Sequence, residues 1–244
     1  MTDDHFLYIV SEKYNLCITV KSNGYIPKSG FLLLSDLENI DFEGKSVVDI
    51  GCGETGIIPH YCHARGAQSV TGIDVDSSAI DHVCLSSNVS SQIKWIKSDI
   101  FDNCTGEFDY IISNPPQMPM MNAKRKLLHD NHDSPGETGQ EVILRILEES
   151  VNKLKSSGAI VLLIFDFLGV MESYNNKLSI QEFARGQGYI CDVVNSFSKS
   201  VRKGGQTEAN IPWIKKIYPR YGFLEDAIGN LYYKVLLVKF YRAT

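Results

Sequence analysis

Apolar and polar positions along the chain predict a β-hairpin first and an alternation of strands and helices later. Two short apolar runs, FLYIV and LCITV, flank the polar residues 11–15 and predict a hairpin over residues 6–20. The apolar positions from Phe31 to Leu37 predict a short helix. After Gly44 strand-like and helix-like patterns take turns, which is typical of a parallel sheet with helices on its faces.

Among the later elements, one helix and the last strand have the clearest patterns. The helix begins near Val142, where apolar residues recur at three- and four-residue steps, and is expected to end at Gly158. No helical pattern precedes the last strand, only a connection of roughly 33 residues, so this strand is expected to run antiparallel to its neighbours. The predicted strands cover 46–50, 69–73, 93–96, 110–113, 159–165, 189–194 and 231–241, and the predicted helices cover 57–65, 77–86, 142–154 and 179–186.

Together these elements predict an α/β fold. It is a Rossmann-like, seven-stranded, mostly parallel sheet with an antiparallel last strand, preceded by a short N-terminal β-hairpin. We expect residues 1–44 to form the hairpin and a cap segment, and residues 45–244 to form the α/β domain. The chain has 244 residues, of which 43% are hydrophobic and 22% charged, and this composition excludes a mainly disordered, collagenous or coiled-coil protein.

Charge, cysteines and the absence of long apolar runs narrow the class of protein. No apolar run approaches the ~20 residues of a membrane span and no signal or transit pattern opens the chain, so we expect a cytoplasmic protein without a membrane partner. A formal charge of −5 argues against a long phosphate backbone as the main partner. The six cysteines form no C-x-x-C pair and indicate a reducing compartment. The cluster of His60, Cys62 and His63 lacks a second ligand pair, so no metal site is expected.

Three glycines follow the first strand of the α/β region in G-x-G-x-x-G spacing. Gly51, Gly53 and Gly56 stand directly after the strand predicted at 46–50 and before a predicted helix. Glycines there permit a tight turn and let backbone N–H groups approach a ligand at a helix N-terminus. The next strand ends in Asp74, an acid about twenty residues further on, where it can accept hydrogen bonds from ribose hydroxyls. The two features together predict a nucleotide-type ligand.

An acid before the first glycine distinguishes between nucleotide ligands. A carboxylate at Asp49 would oppose a pyrophosphate and favour a cationic ligand. The segment from Asp49 to Gly53 resembles motif I of the class I S-adenosylmethionine-dependent methyltransferases, and Asp99 matches the acid that those enzymes place beside adenine. The resemblance implies S-adenosylmethionine as cofactor, and the residues that it assigns to the cofactor site are Asp49, Gly51, Cys52, Gly53, Gly56, Asp74, Val75, Asp99, Ile100 and Asn114.

A second motif, Asn114-Pro115-Pro116, follows the strand predicted at 110–113. The two prolines have a restricted backbone and no N–H group, so this segment is expected to be stiff, with carbonyl groups available to a ligand. An amide or aromatic amine is a poor nucleophile because its lone pair is delocalised. The Asn114 side-chain oxygen and the Pro115 carbonyl would hold its N–H groups in line with the sulfonium methyl group, which makes these two residues the candidate catalytic residues.

The same segment resembles the N-P-P-aromatic motif of methyltransferases that modify amide or exocyclic amino nitrogens. The broader resemblance is to the release-factor glutamine methyltransferase family and its small-domain relatives. It covers about residues 25–170, where the segments 26–28, 136–139 and 154–158 are also similar to that family. The resemblance implies nitrogen as the methyl acceptor. Candidate substrate contacts are Ile26, Lys28, Pro116, Gln117 and Trp213.

Two departures from the family leave the acceptor open. Gln117 stands where the family has an aromatic residue, and the methionine-rich segment 118–121 after it suits an aliphatic or irregular substrate. The short hairpin also replaces the family's N-terminal helical domain for substrate recognition. The predicted acceptor is therefore an amide or amine nitrogen in a small molecule, a peptide or a protein.

Two other functions stay open, and so does the role of one long connection. The N-P-P motif is also typical of adenine-N6 nucleic-acid methyltransferases, for which the basic stretch 199–203 is the supporting feature. A non-catalytic, cofactor-binding scaffold is the alternative from another class.

Residues 198–230 contain Trp213 and several tyrosines, and they form either part of an acceptor pocket or lid, or a loop whose aromatic residues pack on the sheet.

Overall fold

A computed structural model describes residues 6–21, 28–85, 92–121, 135–174 and 177–242. The chain forms two compact units. The first comprises Met1–Asn114 and Asn152–Ala159, and the second comprises Pro115–Val151 and Ile160–Thr244. One strand, β7 (Leu154–Phe165), runs through both.

The first unit contains the hairpin and the first half of the strand-helix alternation. Strands β1 and β2 pair antiparallel, and the order in the larger sheet is β5-β4-β3-β6 with parallel pairing of β4 with β5 and of β3 with β4 and β6. This arrangement brings the carboxyl ends of these four strands to one edge. The elements are β1 (Phe6–Ser11), β2 (Leu16–Lys21), α1 (Lys28–Leu37), β3 (Ser46–Ile50), α2 (Ile57–Ala64), β4 (Ser69–Asp74), α3 (Ser77–Leu85), β5 (Lys94–Lys97) and β6 (Phe108–Ser113).

Apolar side chains of the central strands form the core of this unit. Val47 and Val48 of β3 and Ile111 and Ile112 of β6 are fully buried, as expected for parallel strands covered on both faces. The hairpin also contributes to the core, because Ile18 of β2 is only 1% exposed. Burying both faces of the sheet leaves its strand ends as the place for polar chemistry.

The second unit contains the last strands and the helices around them. The order of its strands is β7-β10-β8, and β10 pairs antiparallel with both β8 and the short β9. The predicted mostly parallel sheet with an antiparallel last strand is therefore confirmed, and the two-residue β9 is an addition to the seven predicted strands. The elements are α4 (Glu141–Glu149), β7, α5 (Ile180–Gly186), β8 (Tyr189–Ser200), α6 (Gln206–Ile217), β9 (Leu224–Glu225) and β10 (Leu231–Arg242), with 3-10 turns at Ser150–Asn152 and Asp166–Leu168.

The helix predicted over residues 142–154 is too long, since α4 ends at Glu149 and Leu154 already belongs to β7. Within the first unit the start of β7 is held by Asp109, whose carboxylate lies 2.8 Å from the ammonium group of Lys155. Gly158 is not a helix stop. It lies inside the strand, where a Cβ atom would come within 2.8 Å of the Asp109 carbonyl oxygen. The glycine therefore permits a close backbone approach.

The expectation that no helix precedes the last strand is wrong. The 12-residue helix α6 lies in this connection, and the strand predicted at 189–194 continues to Ser200. The sequence pattern does not indicate helix α6, because Pro212 lies inside it and its buried face consists of only Asn210 and Ile214. Such a thin stripe gives little helical periodicity. In the described part of the chain, no helix is long and apolar enough to cross a membrane.

Candidate active site

The glycine turn after β3 is held against the end of β4. Gly51 and Gly53 adopt positive φ angles of 76° and 64°, a conformation that side chains with a Cβ atom rarely take. The backbone N–H groups of Gly51 and Cys52 both donate to the carbonyl oxygen of Ile73, at 2.8 and 2.9 Å. These bonds set the path of the turn where β3 and β4 end side by side.

Gly56 closes the turn and precedes helix α2. Its φ angle is 52°, and a Cβ atom there would lie 2.5 Å from the Trp95 ring and 2.7 Å from Val83. Both conformation and space therefore require glycine at this position. The result is a helix N-terminus directly after a glycine turn, where backbone N–H groups can face a ligand.

The Asp74 carboxylate joins the end of β4 to this turn. One oxygen accepts the N–H of Gly53 at 2.8 Å, and the other accepts the N–H of Asp76 at 2.9 Å. Each carboxylate oxygen can accept a second hydrogen bond, so Asp74 can bind ligand hydroxyls while it supports the turn. Val75, the next residue, is 42% exposed. An exposed apolar side chain beside the acid offers a contact surface for a ring.

Asp49 is a buried carboxyl group at the end of β3 that lacks a partner. It is 1% exposed, and neither of its oxygens has a hydrogen-bond partner among the described residues. Burial raises the pKa of this carboxyl well above its usual range, and the negative charge of Asp74 raises it further. A buried acceptor without a donor is costly, and a bound cation with N–H groups would relieve that cost. The residue therefore fits a cationic cofactor.

Asp99 and Ile100 follow β5 at the same edge of the sheet. Asp99 is exposed, whereas Ile100 is 4% exposed and has a φ angle of 47°. A β-branched residue in this conformation is a backbone outlier, and such outliers cluster at functional sites. The strained residue fixes the direction of the chain just after Asp99, which keeps this acid at the carboxyl ends of the strands.

Asn114 lies immediately after β6, beside the glycine turn. Ser113 pairs with Ile50 of β3, and its hydroxyl group donates to the Ile50 carbonyl oxygen at 2.6 Å. The following residue, Asn114, is half-buried, and its side chain makes no hydrogen bond with any residue that the structure describes. Its amide group is therefore available to a ligand at the edge where Asp49 and Asp74 also lie.

In the second unit, the Gln117 side chain holds the proline segment. Its amide nitrogen donates to the carbonyl oxygen of Leu163 at 2.8 Å and to that of Pro115 at 3.3 Å, and its amide oxygen accepts the Phe165 N–H at 2.7 Å. Gln117 is only 4% exposed. The amide group thus pairs with the backbone of β7 as a neighbouring strand would, and it fixes the position of the Pro115 carbonyl.

Trp213 of α6 is partly buried, and its indole N–H donates to the carbonyl oxygen of Glu137 at 2.9 Å. Nearby, Tyr218 is 3% exposed and its hydroxyl group donates to the Thr138 carbonyl oxygen at 2.6 Å. Most aromatic residues of the 198–230 connection thus pack within the second unit, and the lid stays a prediction.

Three other predicted substrate contacts are Pro116, Lys28 and Ile26. Pro116 is half-buried, Lys28 is the first residue of α1, and Ile26 lies outside the described residues. The His60 ring nitrogen Nδ1 lies 2.8 Å from the Gly56 carbonyl oxygen, and no group of three or more metal-ligating side chains occurs in the described ranges.

A comparison with known protein families identifies the family of this chain. The profile of the family "Methyltransferase small domain" matches residues 18–191. The chain belongs to this family. It is a methyltransferase and its methyl donor is S-adenosylmethionine, which confirms the resemblance noted in the sequence.

Two relatives of this methyltransferase are named as glutamine methyltransferases, and a solved methyltransferase structure has the same fold. It is 32% identical over 151 residues to the "Putative protein N5-glutamine methyltransferase" of Methanocaldococcus jannaschii, covering 61% of this chain and 75% of the relative. It is 30% identical over 167 residues to the release factor glutamine methyltransferase of Streptococcus pneumoniae, covering 64% of this chain and 60% of the relative. A solved methyltransferase from Pyrococcus furiosus, 18% identical, has the same fold with a TM-score of 0.53 over 90% of this chain and 88% of that chain.

Asp166 is a further acid at the end of a strand. Like Asp49, Asp74 and Asp99, it stands at or just after the end of a predicted strand, and this position is the signal in the sequence that marks it. In the structure it is half-buried, and its carboxylate accepts the Tyr221 hydroxyl group at 2.8 Å.

Proposed function

We propose that this methyltransferase transfers the methyl group of S-adenosylmethionine to the side-chain amide nitrogen of a glutamine in a protein or peptide. The observation that carries the proposal is the pair of acceptors after β6. The Asn114 amide group has no partner among the described residues, and the adjacent Pro115 carbonyl is held in place by Gln117. The names of the Methanocaldococcus jannaschii and Streptococcus pneumoniae relatives support glutamine as the acceptor.

The cofactor side of the proposal rests on the first unit. Asp49 would accept hydrogen bonds from the cationic methionine part, Asp74 would bind the ribose hydroxyls, and Asp99 would lie beside the adenine amino group. The glycine turn would supply backbone N–H groups and room for close approach. When bound, S-adenosylmethionine supplies an electrophilic methyl group on a positively charged sulfur. Gly51, Cys52, Gly53, Gly56, Val75 and Ile100 complete the proposed cofactor site.

On the acceptor side, Asn114 and Pro115 would position a planar amide. The side-chain oxygen of Asn114 and the carbonyl oxygen of Pro115 each accept one N–H of the substrate amide, which directs its nitrogen at the methyl group. The substrate nitrogen, which Asn114 and Pro115 would hold, would lose one proton to water as it gains the methyl group. The protein therefore contributes orientation and electrostatics.

The remaining positions complete the proposal. We assign the methyltransferase domain to residues 45–244 and the hairpin and cap segment to residues 1–44. Ile26, Lys28, Pro116 and Trp213 stay candidate substrate contacts, whereas the buried amide group of Gln117 positions the Pro115 carbonyl. A cytoplasmic location stays a prediction of the sequence.

A labelling experiment tests the proposal. The protein is incubated with methyl-labelled S-adenosylmethionine and with separate protein, RNA and metabolite fractions of a cell extract, with Asn114→Ala as the matched inactive variant. We expect label in the protein fraction with the wild type and none with the variant. Label confined to RNA would instead support the nucleic-acid alternative. Cofactor binding with no label in any fraction would support the non-catalytic scaffold.

A further inference from the structure

A cavity of about 790 Å³ opens in the second unit where β7 ends. Its volume lies within the roughly 300–1,000 Å³ of ligand pockets, which is ample for one long side chain of a protein substrate. The residues that line it include Asp166, Glu172, Tyr174, Tyr218, Arg220 and Tyr221.

The cavity begins one residue beyond the point where the proline segment is attached to β7. Gln117 bonds to the Leu163 carbonyl oxygen and the Phe165 N–H, and it also donates to the Pro115 carbonyl oxygen. The next residue after Phe165 is Asp166, which lines the cavity. The Pro115 carbonyl and the cavity are therefore linked through the Gln117 side chain and the end of β7, a separation that a few residues of an extended peptide can span.

Two acidic side chains and one basic side chain line the cavity. Asp166 is half-buried, while the other two charged residues of the lining, Glu172 and Arg220, are exposed. Burial raises the pKa of the Asp166 carboxyl, although the Tyr221 hydroxyl group and Lys234 act in the opposite direction. The hydrogen bonds that Asp166 receives thus do not fully offset its desolvation. A cation entering the cavity would stabilise the charged carboxylate.

Three tyrosines, Tyr174, Tyr218 and Tyr221, are among the residues that line the cavity. Tyr174 and Tyr218 lie with their ring centroids 4.3 Å apart. Their hydroxyl groups donate to the side-chain oxygen of Gln140 and to the Thr138 carbonyl oxygen, at 2.9 and 2.6 Å. The hydroxyl groups are used within the protein, and Tyr174 and Tyr218 are only 9% and 3% exposed, so each offers a ligand a narrow strip of ring surface. Aromatic rings around a carboxylate suit a cationic group on an apolar stem.

We propose that this cavity receives a lysine or arginine side chain of the substrate protein, close in sequence to the methylated glutamine, with Asp166 as its ion-pair partner. The proposal rests on the proposed function, because it names a second determinant of the same substrate. Arg220, the basic residue of the lining, is exposed, so solvent screens its charge more than that of a group inside the cavity.

The test uses a set of glutamine peptides that differ only in one flanking residue. Arginine, its neutral counterpart norleucine, or glutamate is placed at each position on either side of the glutamine. Dissociation constants are measured in the presence of S-adenosylhomocysteine, and methyl transfer is measured separately. At one or more positions we expect arginine to bind about tenfold or more tightly than norleucine, as for a partly buried charged pair. We expect glutamate to bind more weakly than norleucine.

Variants show whether Asp166 is responsible. Asp166→Asn should abolish the preference for arginine and leave the affinity for the norleucine peptide unchanged. Tyr221→Phe removes the hydrogen bond to Asp166 but keeps its charge, so the preference should persist. Asp192→Asn is the matched control, because Asp192 accepts a tyrosine hydroxyl group in the same way, from Tyr241 at 2.7 Å, outside the cavity.

Two outcomes would overturn the inference while leaving the proposed function intact. One is methylation of glutamine peptides with no preference for a basic residue at any position. The other is a preference for arginine that Asp166→Asn does not reduce. Failure of the proposed function gives a different result, in which no glutamine peptide is methylated whatever its charge, and the inference then falls with it.

Discussion

Replacing Asp49 with asparagine should change cofactor binding and protein stability in opposite directions. Asp49 is fully buried, and its two oxygens have no hydrogen-bond partner in the described residues. Its pKa is raised by burial and by Asp74. This carboxyl group therefore destabilises the folded protein until a cationic ligand binds to it. The neutral amide of the Asp49→Asn variant would avoid the cost of ionisation but could not form an ion pair with the cation.

The stability effect has a defined dependence on pH. A carboxyl group whose pKa is higher in the folded state binds its proton more tightly there, so its contribution to stability falls as the pH rises from its ordinary pKa of about 4 towards the raised value. Each unit of the shift corresponds to about 1.4 kcal/mol, which is roughly 3–6 °C in Tm for a protein of this size. The Tm of the Asp49→Asn variant should therefore be higher than that of the wild type at pH 7, and the two Tm values should be equal at pH 4.

The binding effect is measured by calorimetry with S-adenosylmethionine. Loss of a charged hydrogen-bond acceptor at the methionine end should weaken binding by about tenfold or more at pH 7. Asp81→Asn is the control, since Asp81 is an exposed acid of α3 in the same unit, and it should change neither quantity. Unchanged affinity would show that Asp49 does not bind the cationic cofactor, and a lower Tm than the wild type at pH 7 would show that its ionisation does not destabilise the folded protein.

Three other substitutions separate cofactor, acceptor and structural roles. Asp74→Ala should weaken S-adenosylmethionine binding by about tenfold or more in calorimetry while the protein stays folded, and equal affinity would remove Asp74 from the cofactor site. Asn114→Ala should lower turnover by at least about a hundredfold with little change in cofactor affinity, and equal loss of both would make Asn114 structural. Gln117→Ala should lower the free energy of unfolding by at least about 2 kcal/mol in chemical denaturation, because the Phe165 N–H and the Leu163 carbonyl oxygen lose their buried partner. Wild-type stability of this variant would contradict the assigned role of Gln117.

The cofactor turn could be predicted from the sequence because its signals are local. Gly51, Gly53 and Gly56 need positive φ angles, and these follow from neighbouring residues in the chain. The positions of the acids at the ends of β3 and β4 are also predictable, because the short, strongly apolar runs before them indicate buried strands. The hairpin and the antiparallel last strand are likewise visible as patterns, which is why the fold class could be assigned.

Long-range contacts explain most of what the sequence did not predict. Gln117 bonds to residues 46 and 48 positions away, and no local pattern marks an amide group that pairs with a distant strand. Gly158 has the appearance of a helix stop, but its role is to admit the backbone of Asp109. Helix α6 contains a proline and buries a thin face, so tertiary packing outweighs its weak local pattern.

The central claim, that glutamine amide nitrogen is the methyl acceptor, is tested most directly by locating the transferred methyl group. A glutamine-containing peptide is incubated with the enzyme and S-adenosylmethionine, and the product is fragmented in a mass spectrometer. We expect a single added methyl group on the side-chain nitrogen of glutamine, and no methylation with the Asn114→Ala variant or with a peptide that has glutamate in place of glutamine. A methyl group on another residue, or equal methylation of the glutamate peptide, would contradict it.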